Sequence, residues 1–207
     1  MKVLILNGSP KKNGCTARAL REVEETLNGE GVETETLFVG NKDIRGCISC
    51  NSCGKSGKCV FDDIINEIAP KFEEADGIVI GTPVYYAGAN GSVISLLDRL
   101  FYSTGFDKTM KVGACVLSSR RAGSTSAYDE ISKYFAISNM PIATGSYWNE
   151  VHGFSAEDVE KDLEGLQTMR NLARNMAFLI KSIHLGKENI GLPLLERGSF
   201  TSFPDGL

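Results

Sequence analysis

The chain has 207 residues, 42% of them hydrophobic, with 22 Lys and Arg against 26 Asp and Glu for a formal net charge of -4. The basic residues are scattered, so no basic face is available for a nucleic-acid backbone, and nucleic acid is excluded as a partner. No apolar run approaches the ~20 residues of a membrane span, and only four strongly apolar residues, Val3 to Leu6, precede Asn7, too few for a signal-peptide core; one cytoplasmic domain over 1–207 is expected.

Val3 to Leu6 form a continuous apolar run, as in a strand covered on both faces. A polar loop from Asn7 to Gly14 follows, and Thr16 opens a helical period through Leu20, Val23 and Leu27. A strand, a small-residue loop with hydroxyls and lysines, and a helix start together gather free backbone N–H groups and a positive dipole end at one point, which suits a phosphate. Only Gly8 and Gly14 are present, so the loop is not the dinucleotide fingerprint, and no Gly-Lys-Ser/Thr follows to make a Walker loop. A loop for a phosphate monoester remains, as does an ordinary turn that binds nothing.

Asn28 and Gly29 stop the first helix, and Val32 to Val39 alternates in part, as an edge strand does. Residues 41–60 form an inserted loop rich in cysteine. Asp62 and Asp63 cap a helix of Ile64, Ile65, Ile68 and Phe72, which Pro70 should kink or split. Gly77 to Gly81 is a third strand, Thr82 to Gly91 a glycine-rich loop, and Val93 to Phe101 a helix. Lys111 to Leu117 is the fourth strand, Tyr128 to Phe135 marks the next helix, and Met140 to Thr144 is a short fifth strand weakened by Pro141. Ala156 to Ile183 reads as one long helix, and 186–207 as an irregular tail.

Five strands alternating with five helices predict a three-layer, doubly wound α/β fold around a five-stranded parallel sheet. An edge position for the second strand fits the flavodoxin-like order 2-1-3-4-5, whose ligands sit beyond the carboxyl ends of strands one and three. The loops ending those strands converge on one crevice. In the second of them Pro83 stiffens the strand exit, Val84 follows, Tyr85 and Tyr86 offer flat faces, and Gly88 and Gly91 admit a ligand close to the backbone. Such a loop can serve the isoalloxazine of FMN, or its tyrosines can simply pack. Ser118, Ser119, Arg120 and Gly123 belong to a third loop on the same edge, able to line the flavin or an NADPH phosphate. Tyr147, Trp148, Asn149 and His152 follow strand five and offer a ring face, a subunit contact or burial against the last helix.

Four of the six cysteines, Cys47, Cys50, Cys53 and Cys59, are spaced C-x2-C-x2-C-x5-C. That spacing suits one four-iron four-sulfur cluster; structural zinc and metal-free thiols are the alternatives. Cys15 sits at a helix start, where a thiolate would be stabilised, and also beside the phosphate loop where it can pack. Cys115 lies in an apolar strand as a small core residue.

GSPKKNGCTARA, CISCNSCGKSGKC with Asp62 and Asp63, GTPVYYAGANG and the pair Asp98-Arg99 together resemble the NAD(P)H-dependent FMN reductase family, and the cysteine run resembles its iron-sulfur flavoprotein branch. The resemblance implies FMN held at its phosphate by Ser9, Lys11, Asn13, Thr16 and Ala17 and at its ring by Pro83 to Tyr86. It also implies NAD(P)H as cosubstrate and a homo-oligomer, dimer or tetramer, in which a neighbouring subunit completes the site. With a cluster, a ferredoxin-type carrier is the expected electron partner; without one, a quinone, azo or flavin reductase is expected. A non-enzymatic module with a zinc or redox-sensing cysteine site is the reading from another class. Hydride transfer to a flavin demands no acid or base side chain, so no catalytic residue is assigned.

Overall fold

The fold was obtained as a computed structural model that describes residues 1–196 and 199. Five parallel strands form its main sheet: β1 (Lys2–Asn7), β2 (Glu33–Phe38), β3 (Gly77–Tyr85), β5 (Val112–Ser119) and β6 (Glu150–His152). Their spatial order is β2-β1-β3-β5-β6, so the parallel strands run 2-1-3-4-5 as expected. A two-residue strand, β4 (Gly88–Ala89), pairs antiparallel with the end of β3.

Seven helices accompany them among the described residues: α1 (Cys15–Gly29), α2 (Cys53–Ser56), α3 (Ile64–Glu74), α4 (Gly91–Ser103), α5 (Ser124–Ile137), α6 (Ala156–Val159) and α7 (Leu163–Asn189). The apolar stripes of α1 and α7 cover one face of the sheet, with Leu20, Val23, Met169 and Met176 against Val3, Ile5 and Val79. On the other face α3, α4 and α5 bring Ile68, Phe72, Leu96, Leu100 and Phe135 against Leu4, Leu6 and Ile80. Burial on both faces explains the continuous apolar runs of the central strands.

Five features depart from expectation. The fifth strand is Glu150–His152 rather than Met140 to Thr144, which makes only an isolated bridge between Ile142 and Gly113. Pro141 can accept from Gly113 N (2.8 Å) but has no N–H to donate, so pairing there ends after two bonds. Asn149, 1% exposed, then turns the chain by accepting from Gly145 N (2.9 Å), while its own carbonyl accepts from Leu117 N (2.9 Å) and starts β6. The stretch read as one helix from Ala156 is two: the first ends at Val159, and Asp162 caps the second, accepting from Gly165 N at 2.9 Å.

Pro70 does not split α3, which continues to Glu74. Pro70 lies on the exposed side, where water replaces the one lost hydrogen bond, and buried Ile65, Ile68 and Phe72 hold the helix to the sheet on either side of it. The loop after β3 is partly a hairpin, closed by Tyr86 and Ala87 with φ of 50° and 60°, the positive values that a tight two-residue turn requires. At the C-terminus α7 runs on to Asn189, so residues 186–189 are helical; the expected tail's residues 197, 198 and 200–207 lie outside the described residues.

Candidate functional site

At the carboxyl edge of the sheet, the exit loops of β1, β3 and β5 surround a cleft of about 340 Å³, within the range of small-molecule sites. Its floor is set by close backbone approaches. Gly8 N donates to Gly81 O (2.8 Å), and a Cβ at Gly8 would stand 2.2 Å from Val93 Cγ2. A Cβ at Gly40 would meet Ser9 O at 2.0 Å, so the end of β2 presses on the loop from beneath and only glycine fits. Asn7, 5% exposed, shapes the turn by accepting from Ser9 N (3.1 Å), and Ser9 Oγ accepts from Lys11 N (3.2 Å).

The first turn of α1 faces this loop without a cap. Its N-cap is Gly14, which has no side chain to accept, and no acidic residue stands in the first turn. In contrast α3, α4, α6 and α7 are capped by the side chains of Asp63, Asn90, Ser155 and Asp162. The amides of Cys15, Thr16 and Ala17 therefore lack partners within the helix, and Cys15 and Thr16 line the cleft. A buried hydroxyl row extends from there: Thr16 Oγ1 lies 2.7 Å from Ser118 Oγ, while Ser119 Oγ accepts from Ser124 Oγ (3.0 Å) and sits 3.2 Å from His152 Nδ1.

Ser9, Lys11, Asn13, Cys15, Thr16, Pro83, Val84, Tyr85, Ser118, Ser119 and Arg120 all line the cleft. Three of the other expected residues do not. Ala17 lies one step further into α1, Tyr86 is fully exposed at the hairpin tip, and Gly123, with φ of 98°, is the N-cap of α5 and lies against Ala87. Burial pushes the Cys15 thiol up, the lowering effect of nearby Lys11 does not offset it, and Cys15 packs against the core, the packing role that the sequence also offered. The sequence also left one wall unassigned: Gly153 to Glu157, where the Ser155 hydroxyl holds the Glu157 carboxyl below its ordinary value. A serine three residues before Asp158 signals that capping box, but nothing in the pattern brings it to the cleft.

The four clustered cysteines line a second, smaller pocket of about 20 Å³ with Ile48, Val60, Phe61, Arg99 and Tyr102. Cys47 and Cys50 are exposed, and Cys53 and Cys59 are half-buried. Ser49 and Asn51 take φ of 52° and 56°, which folds the run back on itself and lets Ser49 N donate to Cys47 Sγ at 3.4 Å. Hydrogen bonds from Ser52 hold the exposed Cys50 thiol below its usual value. Among the described residues, no three His, Cys, Asp or Glu side chains are drawn together around a single point suited to one metal ion. A cubane attaches each cysteine to a different iron and so spaces its sulfurs more widely than one ion does.

Arg99, 1% exposed on α4, is the buried charge of this region. Burial opposes its charge, but Asp63 and Cys59 outweigh that and hold its pKa above the ordinary value. Its signal in the sequence was an arginine between Leu96 and Leu100 on the buried face of an apolar helix.

A family model described as NADPH-dependent FMN reductase matches residues 1–154. An iron-sulfur flavoprotein of Methanocaldococcus jannaschii is 36% identical over 191 residues, covering 88% of this chain and 99% of its own length. Another iron-sulfur flavoprotein, from Methanosarcina thermophila, is 28% identical and covers 91% of this chain and all of its own. Among solved structures, a flavodoxin from the domain Archaea superposes with a TM-score of 0.60 at 15% identity, over 87% of this chain and 99% of that one.

Proposed function

Because the chain belongs to the NADPH-dependent FMN reductase family and is an oxidoreductase, we propose that it holds FMN in the cleft beyond β1, β3 and β5 and uses NAD(P)H or a reduced carrier as electron donor. The observation that carries this reading is the uncapped first turn of α1, open to the cleft and flanked by the buried hydroxyls of Ser9, Thr16 and Ser118. A phosphate dianion answers both the orphan amides and the dipole. Lys11, Asn13 and the amides of Cys15 to Ala17 would meet it, and Pro83 to Tyr85 with Ser118 to Arg120 would border the ring. When bound, FMN supplies the chemistry of accepting a hydride and releasing electrons. The protein's part is to orient the ring between the β3 and β5 exits and to limit water there. The non-enzymatic module that the sequence also allowed gives way to family membership.

We further propose that Cys47, Cys50, Cys53 and Cys59 hold a four-iron four-sulfur cluster. This rests on four cysteines bordering one apolar-walled pocket and on relatives named iron-sulfur flavoproteins. The pocket has room for about one water as it stands, so seating a cluster moves the exposed stretch from Cys47 to Asn51 outward. A ferredoxin-type carrier is then the natural electron partner, and a quinone, azo or flavin reductase is the reading without a cluster. Exposed Leu163, Phe178 and Leu185 on α7 support a dimer or tetramer. No helix among the described residues is long and apolar enough to cross a membrane, in keeping with a cytoplasmic location.

An absorption spectrum of anaerobically purified protein, with iron, sulfide and zinc assays, tests the whole reading. Flavin bands with iron and sulfide support it. Flavin without metal leaves the cluster-free reductase, and a colourless protein that takes up no FMN overturns both.

A further inference from the structure

Arg99 ends in a set of contacts that leaves none of its five N–H donors idle. Nη1 and Nη2 form a fork on Asp63 (2.7 and 2.9 Å), Nη1 also donates to Arg45 O (3.1 Å), and Nε and Nη2 both donate to Cys59 Sγ (3.3 and 3.1 Å). Its guanidinium lies 4.9 Å from the centre of the Phe61 ring. Cys59 is pinned on its other side as well: its N–H donates to Asn66 Oδ1 (3.0 Å), and its carbonyl accepts from Asn66 Nδ2 (3.1 Å). Among the described residues, none of the other three clustered sulfurs meets a cationic side chain. The fourth cysteine is therefore held differently from its neighbours, at its backbone and at its sulfur, by groups from α3 and α4.

We propose that Arg99 is a positioning residue for the redox centre, which fixes Cys59 Sγ and stabilises negative charge on it so that the cluster is easier to reduce. This rests on the cluster reading given above. Reduction adds one electron to the cluster and neither makes nor breaks a bond, so the added charge spreads onto the ligand sulfurs. Two charged N–H donors on one of those sulfurs favour the more negative, reduced state, since hydrogen bonds to the sulfurs and net charge set such potentials. Asp63 acts in the opposite sense, because its carboxylate offsets the guanidinium while leaving the N–H to sulfur contacts in place. A buried arginine kept only for packing would tie the same segments together without favouring one oxidation state.

The test is a potentiometric titration of the intact holoprotein with dithionite and mediators, read by the cluster's own spectrum, for the wild type, Arg99→Gln, Arg99→Lys and Asp63→Asn. At the wild-type midpoint, the ratio of reduced to oxidised cluster should fall about tenfold in Arg99→Gln, which is about 59 mV for a one-electron couple. Arg99→Lys, which keeps the charge but loses the fork, should fall between the two. Asp63→Asn should move the ratio upward, and it serves if Arg99→Gln fails to fold or to hold iron. An unmoved midpoint in an iron-replete Arg99→Gln, or a downward shift in Asp63→Asn, overturns the proposal. Wild-type protein without iron and sulfide overturns the cluster reading and this inference with it, an outcome that the metal assay separates from an unmoved midpoint.

Discussion

Thr16 and Ser118 are 102 positions apart in sequence, yet their hydroxyl oxygens lie 2.7 Å apart at the cleft. The first turn of α1 reaches past the end of β3 to the end of β5 and is tied there. Replacing Thr16 by Val leaves the Ser118 hydroxyl buried without this partner. The expected cost is about 1–2 kcal/mol in the unloaded protein, and FMN binding should weaken about tenfold, the equivalent of about 1.4 kcal/mol. Thermal denaturation and flavin fluorescence titration measure the two effects separately.

A methyl group at Gly40 would collide with the Ser9 carbonyl, so Gly40→Ala must push the loop between β1 and α1 upward. We expect a stability loss of about 2–3 kcal/mol from overpacking, and FMN affinity should drop more than in Thr16→Val because the whole loop shifts. Gly29→Ala, where nothing lies within 4 Å of the added carbon, is the control and should be close to neutral. Equal effects of the two substitutions would show that Gly40 does not shape the loop.

Glu22 pairs with Arg18 one turn away on α1 and reaches across to Arg170 on α7. Burial by itself raises its pKa, but the hydrogen bonds from the two arginines win and hold the carboxyl below its ordinary value of 4.5. A carboxyl depressed in the folded state stabilises the fold above its unfolded pKa and loses that contribution as pH falls through the folded value. Glu22→Gln should therefore cost about 1–2 kcal/mol near neutral pH, and the deficit should shrink as the pH falls below about 4.5. Denaturant midpoints across that range would contradict this if the deficit were constant.

The cysteines divide into two classes with different expected phenotypes. Cys50→Ser should abolish bound iron while leaving flavin, because the two pockets share no lining residue. Loss of both together would show that the sites are coupled. Cys115, fully buried and with its thiol pushed up to about 12, is neutral at physiological pH. Cys115→Ser should keep iron and flavin and lower stability by about 1–3 kcal/mol, since it buries a hydroxyl in an apolar strand.

The central strands were legible in the sequence because burial on both faces leaves an uninterrupted apolar run, and Val3 to Leu6 and Gly77 to Gly81 carry it plainly. The turn from β1 into α1 was legible because Gly8 and Gly14 bracket hydroxyls and lysines between an apolar run and a helical period. The fifth strand was not. Met140 to Thr144 has the stronger strand composition, but pairing was decided by Pro141's missing N–H and by the turn that Asn149 builds, both matters of partner rather than pattern. The cleft wall from Gly153 to Glu157 was equally hidden, since only the parallel seating of β6 against β5 brings it there. Arg99 stood in plain view on an apolar helix face, but its partners Arg45, Cys59 and Asp63 become neighbours only once the loop folds over α4.

The most direct measurement is a crystal structure of the protein saturated with FMN. It should place the phosphate against Ser9, Asn13, Thr16 and the first-turn amides of α1, with the ring between Pro83 to Tyr85 and Ser118 to Arg120. FMN bound at another surface, with that cleft left unfilled at saturating cofactor, would contradict the account.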